Sequence, residues 1–122
     1  MARILVAEDD QFTLEMIKRA LETDGHDVTT AENGAEAMTA IESGPSFDLV
    51  MTDVDMPQLS GIALAEDLIA RDAGQRMIIM SGIADELSRA GAIASSTVRI
   101  VTKPVTLERI RTEATEILAC NP

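Results

Sequence analysis

Ile4-Leu5-Val6-Ala7-Glu8-Asp9-Asp10 is an apolar run that breaks without a spacer into three carboxylates. Four consecutive apolar residues are too few for a helix. Their unbroken character suits a strand covered on both faces, as in a parallel sheet, rather than one alternating between core and water. Leu49–Thr52, Met77–Met80 and Val98–Val101 repeat the pattern, and Val28–Ala31 is a weaker version enriched in Val and Thr. Arg99 interrupts the last run, which places that strand at or near an edge of the sheet.

Helical spacing fills the intervals. Leu14, Ile17 and Leu21 form one stripe, with Asp10 placed to cap it and Asp24-Gly25 to end it. Ala37, Met38 and Ile41 follow Asn33-Gly34 and stop at Gly44-Pro45. Ile62, Ala65 and Ile69 form a third stripe, ended near Gly74. The 84–94 stretch is rich in Ala, Ser and Gly and makes a thin fourth helix. Leu107, Ile110, Ala114 and Ile117 form a fifth, capped by Thr106. Strand and helix alternate five times, which gives an α/β fold: a (βα)5 doubly wound, five-stranded parallel sheet with right-handed crossovers. No linker, repeat or low-complexity tract divides residues 1–122, so a single domain is expected.

Ten basic residues stand against 21 acidic ones, a net charge of −11. Such a surface repels phosphate backbones and anionic lipid, so neither direct nucleic-acid binding nor membrane binding is expected. The absence of Trp and Tyr also removes the usual platforms for stacking bases. No apolar run approaches a membrane span, and the amino-terminal residues lack a signal-peptide pattern; a cytoplasmic protein is expected. The single cysteine, Cys120, cannot form an internal disulfide and is read as without a role.

In a doubly wound sheet, ligands gather beyond the carboxyl ends of the strands. The residues there are Glu8, Asp9 and Asp10 after the first run, Asp53 after the third, Ser81 after the fourth and Lys103 after the fifth. Crowded carboxylates repel one another unless a cation joins them, and hard oxygen donors suit Mg2+. Asp53 can then act as a nucleophile towards phosphorus, while Ser81 and Lys103 hydrogen-bond and neutralise phosphoryl oxygens. Asp10 is assigned chiefly to capping.

These residues sit in a series of motifs. They are Ile4–Asp10; Ala31-Glu32-Asn33-Gly34-Ala35-Glu36-Ala37; Asp48-Leu49-Val50-Met51-Thr52-Asp53-Val54-Asp55-Met56-Pro57 with Gly61; Ile78-Ile79-Met80-Ser81-Gly82; and Thr102-Lys103-Pro104. Their order and spacing resemble the receiver domains of two-component response regulators, of the stand-alone, chemotaxis-regulator-like kind, over residues 3–119. The resemblance implies a flavodoxin-like receiver fold. It also implies that Glu8 and Asp9 are the acidic pair holding Mg2+, that Asp53 is both metal ligand and phosphoacceptor, and that the backbone carbonyl of Asp55 completes the coordination. Ser81 stands at the family's switch hydroxyl and Lys103 at its phosphate-contacting lysine, with the Lys103–Pro104 bond often cis.

Two positions depart from the family pattern. Ile100 replaces a common Tyr or Phe, and Gly82 replaces a small Ala, which together suggest signalling by changed order across residues 82–100. His26, where the family often has an aromatic residue, is assigned to packing. The phosphoryl donor implied is a histidine kinase or phosphotransfer protein, because no nucleotide-cradling Gly-rich loop is present. Output is expected through protein contact at the face of the fourth helix, fifth strand and fifth helix, by a phosphoacceptor rather than an enzyme. A receiver cut from a larger hybrid kinase or DNA-binding regulator is the alternative setting. A competing chemistry is a Mg2+-dependent phosphatase of the haloacid dehalogenase type, since Asp53-Val54-Asp55 matches its two-aspartate signature. Its motif order is the reverse of the one found here.

Overall fold

The computed structural model describes residues 2–44, 46–54, 61–72, 74–82 and 97–119. The expected helix over 84–94, with Asp55 and Cys120, lies outside the described residues. Five strands form one parallel sheet: β1 (Arg3–Ala7), β2 (Asp27–Ala31), β3 (Leu49–Asp53), β4 (Met77–Ser81) and β5 (Val98–Thr102). Their order is β2-β1-β3-β4-β5, the flavodoxin-like doubly wound arrangement. Four helices are described: α1 (Gln11–Thr23), α2 (Gly34–Ser43), α3 (Gly61–Arg71) and α4 (Leu107–Ala119), the last being the fifth helical pattern of the sequence.

Alternate strand residues sort onto two faces. Ile4, Val6, Leu49, Met51, Ile78, Met80 and Val101 meet Leu14, Ile17 and Leu21 of α1 and Ile110, Ala114 and Ile117 of α4. Leu5, Ala7, Val50, Met77, Ile79 and Val98 meet Ala37 of α2 and Leu64, Ala65 and Leu68 of α3 on the other face. Burial on both sides explains why the central runs read as unbroken apolar segments. Each fully buried Leu or Ile contributes about 1.5–3 kcal/mol of transfer free energy, so these two layers supply most of the drive to fold. β2 and β5 are the edges, as Arg99 foretold: its guanidinium lies over the sheet margin, 2.8 Å from Glu116 and 3.2 Å from Glu113 of α4.

The helix signals hold locally. Asp10 caps α1, accepting from the Phe12 amide. Thr106 caps α4 by accepting from the Arg109 amide at 3.1 Å. Gly25 takes φ 89 in the turn after α1, a left-handed conformation that suits glycine. His26 is structural, accepting the Ala2 amide at Nδ1 at 3.2 Å. α3 ends at Arg71, near the expected Gly74, and the Asp72 carboxylate accepts the Gly74 amide at 3.0 Å.

Candidate phosphoacceptor site

Parallel pairing brings the strand ends level. Ala7 lies beside Thr52, Asp53 beside Met80, and Ser81 beside Thr102. Glu8 and Asp9 follow β1, Asp53 ends β3, Ser81 ends β4 and Lys103 follows β5, so all five reach one rim. β1 and β3 flank the point where strand order reverses, which opens the crevice there.

Glu8, Asp9 and Asp53 each offer a carboxylate oxygen, and these atoms lie within 4.8 Å of one another. Glu8 and Asp53 are buried, at 1% and 4% exposure, while Asp9 faces solvent. Lys103 closes the cluster: its Nζ donates to Asp53 Oδ2 at 2.9 Å and lies 3.5 Å from Glu8 Oε2. The Glu8 backbone amide donates to the Ala31 carbonyl at 3.0 Å, which ties the rim to the end of β2. Its Oε1 accepts the Asp10 amide at 3.3 Å. Ser81 is buried, and its carbonyl accepts the Lys103 amide at 2.9 Å. Gly82 is exposed; a Cβ there would meet the Lys103 Cβ at 3.4 Å.

The electrostatics of the rim follow from burial. Removal from water, then the Asp53 charge beside it, raises the Glu8 carboxyl to about 7, with Lys103 opposing the shift. Burial lowers Lys103, but hydrogen bonding to Asp53 and the charges of Glu8 and Asp53 outweigh it, and the ammonium is held above its ordinary value. Asp10 is lowered, first by its hydrogen bond from Thr13 and also by the Phe12 amide, the contacts through which it caps α1.

A divalent cation fits this donor set: three hard oxygens converge, and one belongs to a buried carboxyl that stays partly protonated without a cation. The structure thus brings together Glu8, Asp9, Asp53, Ser81 and Lys103 at one rim. The Asp55 carbonyl falls outside the described residues. Ile100 packs half-buried against the α2–α3 core, an aliphatic core residue in the place of an aromatic. The Lys103–Pro104 bond is cis.

Two features escaped the sequence reading. Phe12 is 80% exposed near the start of α1, and its helix neighbours Thr13 and Met16 line a cleft of about 390 Å3 together with Lys103, Pro104 and Val105. Its signal was phase: it falls off the Leu14/Ile17/Leu21 stripe. The second is a knot of hydrogen bonds at the start of α2. Asn33 Oδ1 accepts the Glu36 amide at 2.8 Å, Glu36 Oε1 accepts the Glu32 amide at 3.0 Å, and Glu32 Oε1 accepts from the Gln11 side chain. Asn-x-x-Glu, a capping-box spacing, announces the first of these contacts.

Comparison with known proteins agrees with this geometry. The family model for the response regulator receiver domain matches residues 4–115. The response regulator receiver protein CpdR of Brucella abortus is 32% identical over 118 residues, covering 97% of this chain and 98% of that protein. The chemotaxis protein CheY of Bacillus subtilis is 33% identical over 109 residues, covering 88% and 90%. The crystal structure of a response regulator receiver domain protein from Clostridium thermocellum superposes with a TM-score of 0.86 at 31% identity, over 97% of this chain and 94% of that one. The haloacid dehalogenase reading gains no support from these relatives. Strand order, acidic rim and family match converge, and the chain belongs to the response regulator receiver domain family, the phosphate-accepting signalling modules of two-component systems.

Proposed function

We propose that this chain is a single receiver domain over residues 1–122 that accepts a phosphoryl group on Asp53 in the cytoplasm and signals by protein contact, without enzymatic turnover beyond slow loss of its own phosphate. The observation that carries the assignment is the position of Asp53. It ends β3 at the topological switch point, buried, 2.9 Å from the Lys103 ammonium and within 4.8 Å of the Glu8 and Asp9 carboxylates.

Glu8, Asp9 and Asp53 would hold Mg2+, with the Asp55 carbonyl as a further donor; the ion supplies charge neutralisation of phosphoryl oxygens when bound. An Asp53 oxygen forms the new bond to phosphorus while the bond to the donor's imidazole nitrogen breaks, and the imidazole leaves with its electron pair. Lys103, held charged by its two carboxylates, balances a phosphoryl oxygen, and the Ser81 hydroxyl, one strand over, donates to another. Burial of Asp53 limits water at the acyl phosphate. The donor is a histidine kinase or phosphotransfer protein. Phe12 and the cleft beside Lys103 form the apolar surface such a donor reaches first, because its phosphorylated imidazole must arrive over this rim. The target meets the face of β5 and α4, the part of the expected output face that lies among the described residues.

Intact-mass measurement after incubation with Mg2+ and acetyl phosphate tests the assignment. One phosphoryl group is expected on the wild type, dependent on Mg2+ and absent in Asp53→Asn. Undiminished labelling of Asp53→Asn would overturn it. Phe12→Ala should slow phosphotransfer from a protein donor several-fold and leave the acetyl phosphate reaction unchanged; equal slowing of both would remove Phe12 from donor docking.

A further inference from the structure

The hydrogen-bond knot at the start of α2 stands directly behind Glu8. The Glu8 amide donates to Ala31, the residue that ends β2, and Glu32, Asn33 and Glu36 bind one another immediately after it. Gln11, at the start of α1, reaches across to Glu32, so the knot also spans the loop carrying Asp9 and Asp10. The helix it anchors has little else to hold it. α2 buries only Gly34 and Ala37 fully, with Met38, Ala40 and Ile41 half-buried, whereas α1 buries Leu14, Ile17, Ala20 and Leu21. The β2–α2 junction is thus held from both sides: Ala31 by burial and by its pairing with Ala7, and the Ala31–Glu32 peptide by the Glu36 carboxylate, which accepts the Glu32 amide.

We infer that Asn33, with Glu36 and Gln11, is a positioning residue for the acidic rim: the cap fixes the Ala31 carbonyl, which fixes the Glu8 backbone and hence its carboxylate. Glu8 is a shared partner, since the same carboxylate faces Lys103, Asp53 and the Asp10 amide. A shift of its main chain displaces one of three converging oxygens. Outer contacts that orient a metal ligand commonly matter for affinity by about tenfold or more when removed. The linkage is reciprocal: a cation that fixes Glu8 must also steady the start of α2.

This inference rests on the Mg2+ reading above, and the experiment separates the two. Mg2+ titration is followed by amide NMR in the wild type, Asn33→Ala, Asn33→Ser and Ile117→Val, with thermal melts of each in chelator. Asn33→Ala removes the cap, and Asn33→Ser restores a capping oxygen without adding charge. Ile117→Val trims the α1–α4 core far along the chain from the rim and supplies a comparable loss of stability. The expected result is about tenfold weaker Mg2+ binding in Asn33→Ala, recovery in Asn33→Ser, no change in Ile117→Val, and slower α2 amide exchange in wild type on Mg2+ addition. Mg2+ affinity within twofold of wild type in a destabilised Asn33→Ala would overturn the inference and leave Asn33 a helix cap only. Absence of Mg2+ binding by the wild type would instead overturn the metal assignment and this inference with it.

Discussion

Glu8 shows what burial does to a single carboxyl. Its pKa of about 7 lies above the ordinary 4.5 because burial, then Asp53, penalises the charge. Without metal, the folded state therefore binds more protons than the unfolded chain between those values. The Glu8 contribution to stability is full below about pH 4.5 and is lost as pH rises through about 7. Urea melts in chelator should show this falling contribution, and Glu8→Gln should flatten it; an unchanged slope in the variant would refute the assignment. Mg2+ needs the ionised form, so its affinity should rise from about pH 6 to about pH 8 and level off above. The convergence of the candidate residues was legible in the sequence because each ends or directly follows an apolar run, and a parallel sheet brings such ends to one rim. Their pairing was not. Lys103 and Glu8 lie 95 residues apart, and only the register of five strands makes them neighbours.

Elements differ in how plainly the sequence announces them, and packing gives the reason. β1, β3 and β4 are buried at nearly every position and read as solid apolar runs. β2 is an edge strand with an exposed first residue and three half-buried or exposed positions after it, so its pattern was weak though correctly placed. The end of α3, at Arg71, falls within a turn of the Gly74 that marks it in the sequence. α1 and α4 form the tighter layer, and Ile17, fully buried between them, tests it. Ile17→Ala should cost about 2–5 kcal/mol in denaturant unfolding, since a core that cannot collapse pays for both lost transfer energy and the cavity. A loss below about 1 kcal/mol would mean that layer repacks freely. By contrast Glu15→Ala, which removes the exposed i,i+4 partner of Arg19, should change stability by no more than about 0.5 kcal/mol.

The molecule as a whole carries −11 charges, with one of its two lysines drawn into the acidic rim. The field of so acidic a surface favours approach by positive groups, and salt screens it over about 10 Å at 0.1 M. Phosphotransfer from a protein donor should therefore slow as NaCl rises, read as an initial rate by stopped-flow or gel; a rate indifferent to salt would show that apolar contact at Phe12 governs encounter instead. The alternation of strand and helix made this architecture readable at the outset, whereas the exposure of Phe12 was not. Nothing in a sequence alone tells a solvent-facing Phe from a buried one except its phase against the neighbouring stripe.

The exposure of Phe12 has a practical corollary. The chain contains neither tryptophan nor tyrosine, so it is optically silent at the wavelengths that excite indole. Phe12→Trp would install a lone fluorophore at the edge of the acidic rim, outside the core and outside the cluster of carboxylates. Its emission should start red-shifted, as for an indole in water, and move to the blue when a partner covers it. The same surface that lacks a covering in the isolated chain thereby becomes a gauge of when one arrives.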